Sequence, residues 1–480
     1  MTQPVNNCVL AVDLDGSLIS TDLLHESIIQ LLFTKPWLIL CLPFWLSKGK
    51  AYLKECLHNH VQLDTEHLPW NHELITYLEA QYSQGREIVL CTGSWHALAT
   101  QVAERFDFFT ACFGTTANIN LTGEKKATFL IDKYGEKGFS YVGNEAKDLI
   151  VWRHSSSAIV INRKEKLHQQ AAKECAIEHS IINHSNLSLR SFLKQIRIHQ
   201  WVKNSLIFVP LVTSHQLSDP RLLALAALAF IAFGLCASAT YIINDLSDLK
   251  SDRKNIKKRY RPMAAGEISI PQGIFLASFM LGGSLLVATQ VNTWFLNALL
   301  LYTAITLAYS FKLKRLQSMD ITVLAGLFTL RIIAGAAAVE VVPSFWLLAF
   351  SMFIFLCLAI IKRLSEIINN QERYTEDTKL SGRGYYIGDL QVLMSLATAA
   401  GMLSVLVFAM YINSPETVAL YSEPYALWLI CPLFAYWIIR IIIMASRGQV
   451  DEDPILFAIK DSRSWVTGAL ILFIIFISSI

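Results

Sequence analysis

The sequence predicts two domains: an N-terminal α/β domain with a helical cap, and a C-terminal all-α bundle of about nine membrane-spanning helices. Residues 1–185 mix charged residues with short apolar runs that alternate with helical patterns. Residues 186–480 consist mostly of apolar blocks separated by short polar loops. A helix that crosses a bilayer needs about 20 apolar residues, which these blocks provide. The composition therefore indicates a membrane protein with a soluble N-terminal domain.

Three apolar runs in the N-terminal domain each end in polar side chains. Residues 8–12 precede Asp13 and Asp15, residues 88–91 precede Thr92, and residues 141–143 precede Asn144. Because helical patterns separate these runs, we expect a parallel sheet with its site at the carboxyl ends of the strands. Two carboxylates two residues apart can hold Mg²⁺, the first acting as a nucleophile and the second as an acid or base.

The order of these motifs resembles the haloacid dehalogenase (HAD) superfamily of phosphatases over about residues 8–165. The resemblance implies that Asp13 accepts the phosphoryl group and that Asp15 is the general acid/base. It also implies that Thr92 and Lys126 bind the phosphate, with Lys125 as a competitor for the lysine role. The implied ligands of Mg²⁺ are Asp13, Asp15, Asn144 and Asp148.

One position departs from that family's pattern. The family usually has Asp where this chain has Asn144. A neutral amide attracts Mg²⁺ less strongly than a carboxylate, although it still offers an oxygen ligand. An active phosphatase and an inactive scaffold or regulatory domain both remain open interpretations.

A cap is expected between the first and second strands, over about residues 17–86. It contains an apolar, aromatic stretch at residues 36–46, followed by Lys48, Lys50 and Lys54. This stretch is too short to span a bilayer. It is typical either of a segment that lies on a membrane surface or of a buried cap core.

Nine apolar blocks are candidates for spanning helices. The first is the weakest because four basic residues, Arg190, Lys194, Arg197 and Lys203, lie in its first 14 positions. The candidates lie near residues 190–213, 221–244, 271–290, 293–310, 318–340, 344–362, 388–412, 424–446 and 463–480.

The distribution of Lys and Arg predicts the orientation. Connections around 214–220, 290–293, 340–344 and 412–423 contain neither residue, whereas the alternate connections carry nearly all of them. The positive-inside rule places the basic loops in the cytoplasm. The N-terminus shows no signal peptide, so we expect the N-terminal domain to be cytoplasmic and the protein to lie in the inner (plasma) membrane.

An acidic motif lies at the end of the second apolar block. Asn244, Asp245, Asp248 and Asp252 are spaced three to four residues apart, and on one continuous helix the aspartates would share a face. Such hard oxygen ligands suit Mg²⁺ held against a substrate phosphate. A basic run over residues 253–261 follows, which together with the acids predicts a diphosphate site. The alternative is a solvated charged loop.

Further charged residues lie at helix ends or within apolar blocks. Arg331 lies well inside an apolar run, where it needs a polar cavity or a structural partner such as an aspartate. Tyr309 and Lys312 close the fourth block, and the segment Lys362-Arg363-x-x-Glu366 closes the sixth.

These motifs resemble the UbiA superfamily of intramembrane transferases over about residues 190–480, and most closely its decaprenyl-phosphate phosphoribosyltransferases. The resemblance implies Mg²⁺-dependent transfer of 5-phosphoribosyl from phosphoribosyl diphosphate to a polyprenyl phosphate. Asp245 and Asp248 would be catalytic, and with Asn244 and Asp252 they would hold the metal. The implied phosphate-binding residues are Lys203, Lys257, Lys258, Arg261, Tyr309, Lys312, Arg331, Lys362 and Arg363.

The implied partners are a polyprenyl phosphate lipid and a phosphorylated sugar donor, with no nucleic acid. The HAD-like domain would remove the 5-phosphate of the product. One alternative is a UbiA-type polyprenyl transferase that acts on an aromatic acceptor. Against it, basic residues occupy the position where aromatic prenyltransferases carry a second acidic motif. A membrane anchor or transporter is a third interpretation. The sequence indicates no oligomeric state.

Overall fold

The computed structural model describes residues 8–162, 165–181, 188–371, 378–379, 383–419, 421–450 and 453–479. The chain forms two compact units. The α/β unit comprises residues 1–196 and 245–276, and the membrane unit comprises residues 197–244 and 277–480. The predicted boundary at residue 185 lies outside the described residues. The segment 245–276, which contains the three motif aspartates, groups with the α/β unit.

The α/β unit is built on a six-stranded parallel sheet with the strand order β3-β2-β1-β4-β5-β6. The strands are β1 (Val9–Val12), β2 (Ile88–Trp95), β3 (Phe109–Thr115), β4 (Phe139–Gly143), β5 (Ser157–Ile161) and β6 (Ala176–Ile181). Alternate residues of β1 pack into separate apolar clusters, Leu10 and Val12 on one side and Ala11 on the other. The sheet is therefore buried on both faces, as all-parallel sheets are. This confirms the predicted parallel α/β architecture.

Helices connect the strands and form the cap. Asp22 begins the first helix because its carboxylate accepts the Leu24 and His25 N–H groups. The helices are α1 (Leu23–Thr34), α2 (Leu42–Ser47), α3 (Lys50–His60), α4 (His72–Ser83), α5 (His96–Ala103), α6 (Glu124–Tyr134), α7 (Leu149–His154), α8 (Glu165–Glu174) and α9 (Leu189–Ile196). The segment Pro36–Cys41 is a 3₁₀ helix.

The remaining helices belong mainly to the membrane unit, apart from the polar helix α12. They are α10 (Val209–Thr213), α11 (Pro220–Ser247), α12 (Leu249–Lys254), α13 (Ile270–Ala288), α14 (Thr293–Phe311), α15 (Met319–Ala338), α16 (Phe345–Gln371), α17 (Leu390–Ile412), α18 (Pro415–Val418), α19 (Ile430–Ser446), α20 (Pro454–Lys460) and α21 (Ser462–Ser479).

The number of spans differs from the predicted nine. Within the described ranges, seven helices are long and apolar enough to cross a membrane, or eight if the bent pair α20 and α21 counts as one span. The first candidate, 190–213, is not one helix. It divides into α9, a 3₁₀ segment over Ile198–Phe208, and α10. Arg197 has a positive φ of 52° at the first break, which interrupts the helical backbone.

The 3₁₀ segment packs closely against α15. A Cβ atom built on Gly335 would lie 2.1 Å from the carbonyl oxygen of Ile207, so only glycine permits this approach. Small residues serve this purpose in membrane helix packing, where close backbone contact takes the place of the hydrophobic effect. The contact holds Lys203 and Asn204 in the same unit as Arg331.

Candidate functional sites

The first candidate site lies at the carboxyl edge of the sheet in the α/β unit. Asp13 directly follows β1, and its Oδ1 accepts a hydrogen bond from Lys126 Nζ at 2.8 Å. Lys126 also donates to the hydroxyl of Tyr141 at 2.7 Å. Lys126 is buried whereas Lys125 is exposed, so of the two predicted lysines it is Lys126 that reaches the site.

Asp15 occupies a different environment from Asp13. Its carboxylate accepts the Ser94 hydroxyl at 2.6 Å and the Leu23 N–H at 2.9 Å. Burial, with Asp22 and Asp13 nearby, raises the pKa of Asp15 to about 7. A carboxyl group with that pKa can hold a proton near neutral pH, as a general acid must.

Thr92, Asn144 and Asp148 complete the predicted set. Thr92 is fully buried, and its hydroxyl accepts the Ser94 N–H at 3.1 Å. Asn144 Oδ1 accepts the hydroxyl of Ser17 at 3.3 Å. Asp148 Oδ2 accepts the N–H groups of Asn144 and Glu145, each at 2.9 Å, and burial raises its pKa to about 6. The backbone bonds show that Asp148 orders the loop after β4.

The cap contributes a lysine to the same edge of the sheet. Lys54 on α3 donates to the carbonyl oxygen of Gly93 and, at 3.1 Å, to Asn120 Oδ1. Burial lowers its pKa. A small open cleft lies beside it, lined by Leu23, Leu24, Ser27, Lys54, Leu57, Ser94, Trp95 and Leu98. The cleft offers one cation, two hydroxyl groups and apolar side chains.

The second candidate site is the acidic motif. The predicted continuous helix is broken: α11 ends at Ser247, Asp248 is the junction with φ −100° and ψ 7°, and α12 begins at Leu249. Asp245 and Asp252 therefore lie on different helices.

Arg261 joins the two halves of the acidic motif. Its Nη1 donates to Asp245 Oδ1 at 3.2 Å and to Asp252 Oδ2 at 2.6 Å. Burial, and to a smaller extent the neighbouring aspartates, raises the pKa of Asp252 to about 6. A cationic group thus lies between the first and last aspartates of the motif.

Gln195 is a member of this site that the sequence analysis missed. It is 1% exposed, and its Nε2 donates to Asp245 Oδ2 at 2.9 Å. Its Oε1 is buried without a hydrogen-bond partner in the described part of the chain. An oxygen in that state, on a side chain that contacts the Asp245 carboxylate, suits a hard cation.

The three motif aspartates are not drawn together into a compact ligand group. Within the described ranges, the only group of three His, Cys, Asp or Glu side chains whose ligand atoms all lie within 4.8 Å of one another is formed by Asp64, Glu66 and His67. The donor set of the acidic motif fits Mg²⁺ chemically, because carboxylate and amide oxygens are its preferred ligands.

The loop after the acidic motif is held by the α/β domain. Arg253 lies next to Asp252 and forms two hydrogen bonds with Glu26 of α1, at 2.6 and 3.2 Å, with both side chains less than 10% exposed. Further along, a Cβ on Gly266 would lie 2.6 Å from the carbonyl oxygen of Ser20. Lys254 also contacts Asp64 at 3.0 Å. Glu26 was not singled out from the sequence, and Arg253 was predicted only as a member of the basic run 253–261.

In the membrane unit, Asn244 accepts a hydrogen bond from Lys314 Nζ at 3.2 Å. Lys314 is buried, whereas the predicted Lys312 is exposed. Lys314 is therefore the lysine of this helix end that contacts Asn244. In the α/β unit, Lys257 is exposed and Lys258 is half-buried, and the backbone N–H of each donates to Asn255 Oδ1.

Arg331, on α15, is 4% exposed, and its hydrogen-bond partners are uncharged groups. It donates to Asn204 Oδ1 at 3.1 Å, to the Tyr302 hydroxyl at 2.8 Å and to the carbonyl oxygen of Leu327 at 2.8 Å. The aspartate partner considered from the sequence is not among these contacts. Lys203, by contrast, is paired with Asp453.

Tyr309 and Arg363 belong to a buried ionic network. Arg363 is fully buried and pairs with Asp320 and Glu366. Tyr309 donates to Asp320 Oδ1 at 2.6 Å and accepts from Arg363 at 3.2 Å. These two predicted phosphate-binding residues therefore have protein partners, while the neighbouring Lys362 is half-buried.

Comparison with known proteins agrees with this architecture. The model of the UbiA prenyltransferase family matches residues 205–477. Since this match covers more than half of the chain, the protein belongs to the UbiA prenyltransferase family, and it is a multi-pass membrane protein of the prenyl-transferase type.

Individual relatives cover the chain to different extents. An uncharacterised protein of Sinorhizobium fredii, y4nM, is 35% identical over 96% of this chain and 89% of its own length. A decaprenyl-phosphate phosphoribosyltransferase of Mycolicibacterium smegmatis is 34% identical over 43% of this chain and 66% of its own. A solved UbiA homologue from Archaeoglobus fulgidus, bound to DMAPP and Mg²⁺, is 18% identical with a TM-score of 0.45, covering 59% of this chain and 99% of that one.

Proposed function

We propose that the protein transfers 5-phosphoribosyl from phosphoribosyl diphosphate to a polyprenyl phosphate, in a Mg²⁺-dependent reaction at the cytoplasmic face of a bacterial inner membrane. The observation that carries the proposal is the contact of Arg261 with both Asp245 and Asp252. It combines the two charges that a diphosphate site needs, carboxylates for a metal and a cation for phosphate. The relative from M. smegmatis, named for this reaction, supports the choice of donor and acceptor.

The proposed chemistry is a substitution at the anomeric carbon of ribose. The bond from that carbon to the diphosphate breaks, and a new bond to an oxygen of the lipid phosphate forms. The lipid phosphate is already ionised, so no general base is required. Negative charge grows on the departing diphosphate, and groups that stabilise this charge accelerate the reaction.

Mg²⁺, when bound, would neutralise the diphosphate as it leaves. Its proposed ligands are Asp245, Asp248 and Asp252, with Asn244 and the partnerless Gln195 Oε1 as further oxygen donors. Arg261 already contacts two of these carboxylates, so it would bind the diphosphate beside the metal. Lys314, Arg331 and the basic residues at 257 and 258 are further candidates for phosphate contacts.

We further propose that the α/β domain is a HAD-like phosphatase that removes the 5-phosphate of the product. Asp13 would attack phosphorus, and Asp15, with its raised pKa, would protonate the departing ribose oxygen. Water would then hydrolyse the aspartyl phosphate and release inorganic phosphate. Lys126 holds the carboxylate of Asp13 and would offset the charge of the incoming phosphate. A shared chain raises the local concentration of the product at the second site.

The transferase proposal is tested with purified full-length protein in lipid nanodiscs, supplied with polyprenyl phosphate and phosphoribosyl diphosphate. Asp245→Asn should lower glycolipid formation by about a hundredfold or more, because a metal ligand contributes several kcal/mol to charge stabilisation. Asp132→Asn, at an exposed aspartate of α6, is the matched control and should retain full activity. Equal activity of the two variants would refute the metal role.

The phosphatase proposal is tested with the same assay. Asp13→Asn should leave transfer intact and make the 5-phosphorylated glycolipid accumulate, whereas the wild type should release phosphate. If both proteins yield the same phosphorylated lipid, the α/β domain is not the phosphatase for this product. That result would leave the transferase proposal intact.

A further inference from the structure

One face of the cap exposes large apolar side chains. In the segment 36–47, Trp37 is 65% exposed, Leu40 is 84% exposed, and Phe44 and Leu46 are at least half exposed. Trp45 points the other way and packs in a small apolar cluster with Leu31, Leu53, Leu57 and Val61. The segment is therefore amphipathic, since its inner side completes the cap while its outer side presents apolar groups to the surroundings. Exposed apolar patches of this kind mark interaction surfaces.

The charged residues nearest to this patch in the sequence, between Glu26 and Glu55, are all lysines. Residues 27–54 contain no aspartate or glutamate, but they contain Lys35, Lys48, Lys50 and Lys54. Lys48 lies over the ring of Phe44, with its Nζ 4.6 Å from the ring centre. A lysine in this position keeps its charge at the edge of an apolar surface. Apolar and aromatic side chains with flanking lysines are typical of segments that lie in the interface of an anionic membrane.

Chain connectivity holds the α/β unit at a membrane. The unit contains the last residues of the spanning helix α11 and the first residues of the spanning helix α13. The patch therefore belongs to a unit that the chain joins to spanning helices at two points. A segment tethered in this way meets lipid at high effective concentration.

We propose that the segment 36–47 is a membrane-surface anchor, in which Trp37, Leu40, Phe44 and Leu46 insert among lipid headgroups and the flanking lysines bind anionic phosphates. A second copy of the chain is a poorer occupant. A symmetric contact between two such patches would bring lysines of the same sign together, without acids in residues 27–54 to pair with them. The proposal does not depend on the reaction catalysed.

The anchor would fix the cap relative to lipid. The cap's own α3 carries Lys54 into the cleft beside Ser94. A cap that rests on the membrane surface would keep this cleft within reach of a lipid-linked substrate. This consequence, unlike the anchor itself, rests on the proposed phosphatase function.

The test uses full-length protein in nanodiscs that contain phosphatidylglycerol, with the photo-crosslinking residue p-benzoyl-phenylalanine in place of Trp37 or Leu40. Mass spectrometry then counts lipid adducts. Leu286, exposed on the spanning helix α13, is the positive control. Tyr82 is the matched control, because it is an exposed aromatic residue at the end of α4. It lies outside the segment 36–47 and precedes the amino end of β2, whereas Lys54 of α3 contacts the carboxyl end of that strand.

Lipid adducts at positions 37 and 40 should approach those at 286 and exceed those at 82 by about tenfold, as expected for inserted and water-exposed sites. Lys48→Gln combined with Lys50→Gln should reduce the adducts about fivefold or more, since each lysine near an anionic surface contributes to binding. Adduct yields at 37 and 40 no higher than at 82 would overturn the proposal. Crosslinks to a second protein chain in place of lipid would overturn it as well.

Discussion

The pair formed by Glu26 and Arg253 offers a sharp test of how the α/β domain serves the acidic motif. Glu26→Gln keeps the shape of the side chain and removes its charge. Both partners are less than 10% exposed, and removing one member of a buried pair costs about 3–5 kcal/mol. Here the loss is smaller, about 2–3 kcal/mol, because glutamine still accepts one hydrogen bond and Arg253 keeps its bond to the carbonyl oxygen of Ala264.

The lost stabilisation should make the loop 249–266 open more often. Hydrogen exchange of the backbone amides in the full-length protein measures this opening. A change of about 2–3 kcal/mol in the opening free energy corresponds to about 30- to 150-fold faster exchange of its protected amides, such as those of Asn255 and Arg259. Peptides from β1 and β4 are the internal control and should be unchanged. Glycolipid formation should fall, because Arg261 and Asp252 lie in the mobilised loop.

Asp64→Asn is the matched control variant. It removes the partner of Lys254, whose side chain is 49% exposed, and exposed pairs contribute at most about 1 kcal/mol. Exchange of the loop should therefore rise by no more than about fivefold. The reasoning is refuted if Glu26→Gln leaves the loop unchanged. It is also refuted if exchange rises equally throughout the α/β unit, because Glu26 would then stabilise only its own domain.

Three further predictions concern orientation, donor binding and pH. Impermeant cysteine reagents applied from outside the cell should label an engineered cysteine at 216 and not one at 256, since the basic loops are predicted to be cytoplasmic. Labelling at 256 would show that the orientation is the opposite of the predicted one. Arg331→Lys keeps the charge but cannot retain all three hydrogen bonds of Arg331. The variant should remain folded and should show a higher KM for phosphoribosyl diphosphate. An unchanged KM would mean that Arg331 has a purely structural role. Burial opposes ionisation of Glu178, but hydrogen bonds from Arg86 and Ser157 prevail and lower the pKa of Glu178 below the usual 4.5. The ionised Glu178 should therefore stabilise the α/β domain at pH 7, and this stabilisation should be lost as the pH falls below about 4.5. Glu178→Gln should remove this acid-dependent loss of stability in thermal unfolding, and an identical pH profile in both proteins would contradict the assignment.

Much of the site in the α/β unit was predictable, because the positions of its residues follow from short sequence patterns around each strand. Short apolar runs that end in Asp13, Thr92 and Asn144 predict parallel strands, and parallel strands bring these residues to one edge. The family resemblance favoured Lys126 over Lys125, but the local pattern alone does not distinguish the two lysines. The choice between them depends on which face of α6 turns inward.

The acidic motif was less predictable. Its spacing indicated one helix, yet the helix is interrupted at Asp248, where the sequence has no proline or glycine to indicate a break. Gln195 and Glu26 carry no motif, and their importance comes from contacts with residues 50 or more positions away in the chain. The first predicted span failed because periodicity alone does not detect the left-handed backbone at Arg197. Contacts distant in sequence decide these details.

Analysis of the lipid product tests the central claim most directly. Purified protein in nanodiscs receives polyprenyl phosphate, phosphoribosyl diphosphate and Mg²⁺, and the lipids are identified by mass spectrometry. The account predicts a polyprenyl phosphate that carries ribose, with or without its 5-phosphate, formed only when Mg²⁺ is present. A protein that ignores phosphoribosyl diphosphate and instead prenylates an aromatic acceptor such as 4-hydroxybenzoate from a prenyl diphosphate would contradict it.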